Sequence, residues 1–227
     1  MNQTAIRGAW PQATFSVVCE PGLGIARDQG ARGTCIAMAS TVVHVGAQKI
    51  NHWLSEESLF DSARRVDGCK PTEDGTTVSA ILTALEMPGQ PDEAQWPYST
   101  SRVTPPRPAP PPPSCSGPFF AWKGRRIAST AIGLASEVSA TRPVVAVVRL
   151  TGGFLTPASG WVRAVSNDRD LGALHAVVVV GRATENPGGK TFLLVRNSWG
   201  VGWGVAGYAL VEQEYLNGRV MSAFVLD

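Results

Sequence analysis

The 227-residue sequence has little of what would mark a membrane, nucleic-acid or disulfide-scaffold protein. No run approaches the ~18 consecutive apolar residues that a membrane span requires. Its 20 Lys and Arg nearly balance 18 Asp and Glu, leaving a net charge of +2, too weak a field to favour nucleic acid or a membrane surface as partner. The four cysteines, Cys19, Cys35, Cys69 and Cys115, stand at irregular spacings that suit neither a disulfide framework nor metal-type pairs. No metal or cofactor is therefore expected. The first residues, MNQTAIRGAWPQATFSVV, hold no basic segment followed by an apolar stretch, so the expectation is a cytoplasmic protein in a reducing compartment. No internal repeat is found. Histidine is scarce too, with three in the chain. What is present, 44% hydrophobic and 17% charged residues, is the composition of an ordinary globular chain long enough to bury a sizeable core.

Residues 1–33 show no sustained periodicity and are expected to be an extended surface segment. From Cys35 the stretch CIAMASTVVHVGAQKI is apolar almost all round, which predicts a buried central helix with Thr34 as its cap. A second helix is expected in LSEESLFDSARRV, with Ser55 as N-cap and Glu56 and Glu57 in the first turn, where the helix dipole favours them. A third, TVSAILTALEM, follows Gly75 and stops at Pro88 and Gly89. The proline run over 104–113 reads as a stiff exposed loop, with a ligand for a proline-binding module as the alternative. Beyond it, RPVVAVVRL, HAVVVVG, KTFLLVRN and GYALVE are β-branched runs separated by Gly, Asn and Pro, expected to form one antiparallel sheet. The fold class is α+β: a single domain over 1–227, mainly helical over 1–117 and mainly β over 118–227, with a cleft between the two parts.

Cys35, at the start of a helix, sits where the dipole and unpaired N–H groups stabilise a thiolate. A nucleophilic thiol also needs a base. His44 lies nine residues along the same helix, on its opposite side and more than ~10 Å away, out of reach. His52 falls in a polar connection and is expected to be solvated. His175 begins an apolar strand, and a hairpin turning near Asn186 to Gly189 brings it opposite, or nearly opposite, Asn197. An asparagine amide oxygen can accept the second ring N–H and so fix the tautomer and orientation of a catalytic imidazole. Taken singly, a histidine at a strand end or an asparagine before serine is an ordinary structural residue; together with Cys35 they form a catalytic set.

These segments resemble the papain-like cysteine peptidases. QGARGTCIAMA is similar to that family's nucleophile motif at Gln29, Gly30, Gly33, Cys35, Ala37 and Ala39. LHAVVVVG is similar to its histidine strand, and RNSWGVGWGVAGY matches its Asn-Ser-Trp-Gly motif at Asn197, Ser198, Trp199, Gly200, Trp203, Gly204, Gly207 and Tyr208. LSEESL, QWPYS and RPVVAVV are weaker echoes, so the resemblance spans roughly residues 25–212. It implies a two-lobed fold and a peptidase that hydrolyses protein or peptide substrates through an acyl-thioester. Cys35 is then the nucleophile, His175 the base and then acid, Asn197 its orienting partner, and Gln29 an oxyanion donor with the Cys35 backbone N–H. Trp199 would shield the His175–Asn197 bond, and Gly75, Val147 and Ala176 would line the substrate cleft.

The departures from the family pattern carry information. Arg32 stands where the resemblance implies a bridged cysteine, which would leave Cys69 unpaired; Ser62 and Cys115 stand near the second implied bridge. Both losses agree with a reducing compartment. Ile36 replaces a tryptophan, Thr34 a serine, and Leu174 a residue that is often polar. Only 34 residues precede Cys35, too few for a long inhibitory propeptide, so control by a partner, by the proline run or by a larger parent chain is expected. Two alternatives remain at this level: a deamidase, transpeptidase or toxin-like effector using the same acyl chemistry on a specific protein, and a non-catalytic binding module on the same fold. Trp203 and Tyr208 are expected to pack rather than to touch substrate.

Overall fold

A computed structural model describes residues 2–19, 24–68, 74–101 and 111–227. Cys69 and most of the proline run lie outside the described residues.

The chain opens with helix α1 (Gln3–Ala9) and strand β1 (Ala13–Val18), a correction to the expected extended segment. Asn2 accepts the Ala5 N–H at 2.9 Å and caps α1, whose Ile6 is buried together with the following Trp10. Two inward residues four apart anchor a seven-residue helix that would be marginal alone. β1 then pairs antiparallel with strand β5 (Asp170–Glu185), from Ala13 opposite Glu185 to Val18 opposite Gly181.

Helices α2 (Cys35–Gln48), α3 (Glu56–Val66) and α4 (Val78–Glu86) follow. Ten consecutive α2 residues, Ile36 to Val45, are buried, so α2 is the central helix that its all-round apolar sequence predicts. α3 starts as expected, the Ser55 hydroxyl accepting the Ser58 N–H at 3.0 Å. α4 is capped by Thr77 through the Ala80 N–H and ends before Pro88. Thr34 differs from expectation. Its side chain makes no cap bond, because its hydroxyl is engaged by Tyr98 Oη at 2.6 Å.

The remaining elements are β2 (Gly124–Arg126), α5 (Ala131–Glu137), β3 (Val144–Thr151), α6 (Gly152–Leu155), β4 (Trp161–Val162), β5 (Asp170–Glu185), β6 (Thr191–Arg196), β7 (Tyr208–Glu212), α7 (Gln213–Leu216) and β8 (Val220–Leu226). The sheet runs in the order β2-β8-β3-β5-β6-β7-β4, with β1 added to β5. It is not wholly antiparallel: β4 lies parallel to β7. β8 closes the sheet beside β3, although the sequence reading placed no strand there.

Both faces of this sheet are covered, which is why its strands read as unbroken apolar runs rather than alternating ones. Val178, Val180, Val145 and Leu194 pack towards α2, α3 and α4, in one core with Ile36, Val43, Phe60 and Ile81. Their neighbours Val177, Val179, Val144 and Leu193 face the other way, into a second core with Leu134, Phe154 and Tyr215. The molecule is thus α+β, a helical lobe on one sheet face, with the seam between α2 and β5 running past Cys35 and His175.

Candidate active site

Two distant chain segments meet beside Cys35, and backbone hydrogen bonds bring them together. Residues 27–29 run antiparallel to 198–200: Asp28 bridges Trp199, the Gln29 N–H donates to the Ser198 carbonyl at 2.8 Å, and the Gly200 N–H to the Arg27 carbonyl at 3.0 Å. Below them, Arg196 donates to the Ile25 carbonyl at 2.8 Å and to Tyr208 Oη at 3.1 Å. The loop that leads into α2 is thereby fixed to the loop that carries Asn197.

Gly33 holds the other side of that loop. A Cβ there would lie 1.4 Å from the Asp74 carbonyl oxygen, so only glycine allows the 74–75 backbone to pack against the residues before Cys35. The Gly33 N–H also donates to Asp74 Oδ2 at 3.0 Å.

Cys35 is the first residue of α2 and half-buried. Burial pushes its thiol up, against a smaller opposing pull from the backbone amides of Ala176, Ile36 and Cys35 itself. Cys35, His175 and Ala176 line one cleft, which sets the thiol on the side of β5 that carries the imidazole.

His175 is not at the start of its strand. β5 begins five residues earlier, at Asp170, in an exposed stretch without the apolar pattern that marks the buried part. The β5–β6 hairpin runs from Val178 opposite Arg196 to Thr184 opposite Thr191, with an irregularity between Val179 and Gly181. Asn197, one residue past Arg196, is therefore a diagonal neighbour of His175 rather than its direct opposite, within reach on one face. His175 Nε2 lies 2.6 Å from Asn197 Oδ1. Because an amide oxygen only accepts, Nε2 carries the proton and Nδ1 is the ring's unprotonated nitrogen. Asn197 Oδ1 also accepts the Ser198 N–H at 2.8 Å, which fixes the amide.

Aromatic rings enclose this bond. The Trp199 ring lies 4.3 Å from the imidazole centroid, and Phe154 stands edge-on at 6.4 Å. Trp203 packs against both and donates its indole N–H to the Phe154 carbonyl at 3.0 Å. Trp203 and Tyr208 are buried, as packing residues should be. In this apolar setting burial lowers the His175 pKa to about 4, against a smaller opposing effect of the Asn197 hydrogen bond.

Gln29 is oriented at both ends of its amide. Its Oε1 accepts the Ser198 hydroxyl at 2.6 Å, and its Nε2 donates one proton to the Arg32 carbonyl at 2.6 Å. Among the described residues the second Nε2 proton has no acceptor, and Gln29 itself is not among the residues that line the cleft of Cys35 and His175. Tyr98 Oη bonds the Gln29 carbonyl at 2.7 Å, tying the loop to the QWPYS segment. The role of Ser198 was not read from the sequence, although its place beside Asn197 was the available signal.

Arg32 is the most informative departure. It is buried and makes a bidentate pair with Glu57, Nη1 to Oε2 at 2.6 Å and Nη2 to Oε1 at 2.9 Å. Nη1 also donates to the Ser99 carbonyl at 3.0 Å, and the guanidinium lies 4.9 Å from the Tyr98 ring. A charge pair thus braces the loop at the position where the resemblance implied a disulfide. Glu56 has its own cation, Arg27 at 3.1 Å. Glu57 is thus a buried ion-pair partner of the loop before Cys35, and Glu56, whose carboxyl burial raises to about 8, lies beside Arg27 of the same loop.

Cys35 and His175 open on a cleft of ≈ 460 Å3. Gly75, Val147 and Ala176 line it, Val147 standing opposite Ala176 across the β3–β5 ladder. Ile36 and Leu174 contribute to its walls as well. Trp199 does not line it; its ring lies against His175. The other two histidines are set apart: His44 is buried with Gln90 and Gln48, and the exposed His52 pairs with Asp92 at 2.5 Å.

The papain family cysteine protease model matches residues 19–224. The chain belongs to the papain family. Among curated members, a viral cathepsin from Orgyia pseudotsugata multicapsid polyhedrosis virus is 29% identical over 195 residues, covering 82% of this chain and 55% of its own length. Caricain from Carica papaya is 28% identical over 188 residues, 78% of this chain and 49% of its own. The chain thus spans about half the length of these papain-family relatives. Among solved structures, xylellain, a cysteine protease from Xylella fastidiosa, superposes with a TM-score of 0.78 at 20% identity, over 100% of this chain and 90% of that one. The proform of the ragweed pollen allergen Amb a 11, a cysteine protease, gives 0.72 at 25% identity, over 91% and 63%.

Proposed function

We propose that the chain is a thiol peptidase in which Cys35, His175, Asn197 and Gln29 are the reacting and stabilising groups. The observation that carries this reading is the 2.6 Å bond from His175 Nε2 to Asn197 Oδ1, which leaves Nδ1 free at a cleft that also opens on Cys35.

Burial holds both the thiol and the imidazole towards their neutral forms, so the thiol proton passes to Nδ1 as the sulfur attacks a substrate carbonyl. The tetrahedral oxyanion is met by the free Gln29 Nε2–H and the Cys35 backbone N–H. The imidazolium then gives its proton to the leaving amine, and the C–N bond breaks to leave a thioester. Water, deprotonated by Nδ1, attacks that thioester; collapse releases the acid, and the proton returns to sulfur. The acyl donor is a protein or peptide segment that fits the cleft.

Hydrolysis of a fluorogenic peptide pool, combined with labelling by an epoxide probe that alkylates active thiols, tests the reading. Wild type should cleave and be labelled at Cys35, and Cys35→Ala should do neither. A folded wild type that is neither labelled nor active, or labelling that persists in Cys35→Ala, overturns it. Mass analysis of the products separates chain cleavage from deamidation of a side-chain amide or acyl transfer to an amine.

A further inference from the structure

Arg126, at the end of β2, lines the same cleft as Cys35 and His175. Its guanidinium is held by two neutral partners from different elements: Nη1 donates to Ser222 Oγ of β8 at 2.8 Å, and Nη2 to Ser79 Oγ of α4 at 2.9 Å. The adjacent Arg125 shows the usual alternative, with carboxylates of Glu137 and Asp227 at 3.0 and 2.6 Å. Among the described residues Arg126 has no carboxylate within ion-pair distance. One acidic side chain, Asp74, lines the cleft, and its Oδ2 is engaged by the Gly33 N–H at 3.0 Å on the wall beside Cys35.

A guanidinium carries five N–H donors in a planar fork, and two hydroxyl acceptors fix its plane while leaving the others and the charge unmatched. The walls near it, Val78, Val147 and Met221, are apolar. Such a place suits a side chain with a short apolar stem and an anionic tip. We propose that Arg126 makes the cleft selective for peptides that carry Glu or Asp within a few residues of the cleaved bond. The proposal rests on the peptidase reading above.

The test compares kcat/KM for peptide sets that differ only by Glu against Gln at each position flanking the cleaved bond, with free-acid and amidated C-termini. Wild type should prefer Glu at one position by roughly tenfold, the scale of one charge-assisted hydrogen bond in a half-open site. The preference should shrink as salt is raised. Arg126→Gln should bring the Glu-to-Gln ratio of kcat/KM to about one, while Cys35 remains open to alkylation. Arg126→Glu should turn the preference towards Lys. If Gln and Glu peptides are cleaved alike, or the preference survives in Arg126→Gln, the assignment is wrong and the peptidase reading stands. A preference confined to free C-terminal acids transfers the recognition to the chain end and overturns the side-chain assignment. Absence of both cleavage and Cys35 labelling overturns both readings together.

Discussion

His175 titrates where its surroundings put it. Trp199 and Phe154 take water away from the imidazole, and its one strong acceptor, Asn197 Oδ1, is neutral. The charged form is therefore disfavoured and the pKa falls to about 4. The base must be neutral to accept the thiol proton, so kcat/KM should decline on the acid side with an apparent pKa near 4 and hold its plateau through neutral pH. Asn197→Asp changes one atom of this arrangement and reverses its electrostatics. A carboxylate beside Nε2–H stabilises the imidazolium, so the acid limb should move to higher pH. A pH–rate profile of the two proteins checks this. An acid limb that does not move in Asn197→Asp would mean that His175 is not the titrating base.

At the scale of elements, the nucleophile loop is held between α3 and the Asn197 loop by buried charge. Arg32 and Glu57 are each 5% exposed and share two short hydrogen bonds. Removing one member strands the other in a site with little water, which typically costs about 3–5 kcal/mol. Arg32→Ala and Glu57→Ala should each show that loss in urea unfolding, whereas replacing both by leucine should cost far less than the two singles combined. Single losses below ~1 kcal/mol, the range of exposed pairs, would show that the brace is solvated in solution.

The same loop marks the limit of what the sequence made legible. The buried α2, the cap at Ser55 and the reach of His175 to Asn197 follow from local rules, because apolar periodicity, capping chemistry and hairpin register act over a few residues. Arg32 could be read only as an anomaly, since Glu57 meets it across 25 positions and nothing local pairs them. Thr34 failed as a cap for the same reason: Tyr98, 64 residues away, takes its hydroxyl. β1, β2, β4 and β8 were missed because a short strand completing a distant sheet carries little pattern of its own. In VMSAFVL the available signal was an apolar run just after Asn217-Gly218.

For the whole molecule, two buried groups, His175 and Glu56, set opposite pH trends. His175 has a folded pKa of about 4 against an ordinary 6.5, so its folded environment favours the neutral ring. Between those values the unfolded chain binds more protons, and stability present above pH 6.5 is lost as pH falls towards 4. His44, buried and lowered in the same sense, adds to that acid limb. Glu56 behaves conversely. Burial outweighs the attraction of Arg27, which also serves Glu93, and raises the carboxyl from 4.5 to about 8. Its contribution is complete below pH 4.5 and is lost as pH rises through about 8. From pH 4.5 to 6.5 the two trends oppose each other, above 6.5 the Glu56 loss continues alone, and below 4.5 the histidine loss does. Urea midpoints measured from pH 4 to 9 should therefore peak on the mildly acidic side of neutrality. Glu56→Gln, which stays neutral and keeps the shape, should flatten the decline between pH 6.5 and 8 while leaving the acid limb in place. A wild-type curve that is level from 6.5 to 8, or a decline that is unchanged in Glu56→Gln, would show that Glu56 is ionised in the folded protein and that Arg27 prevails over burial.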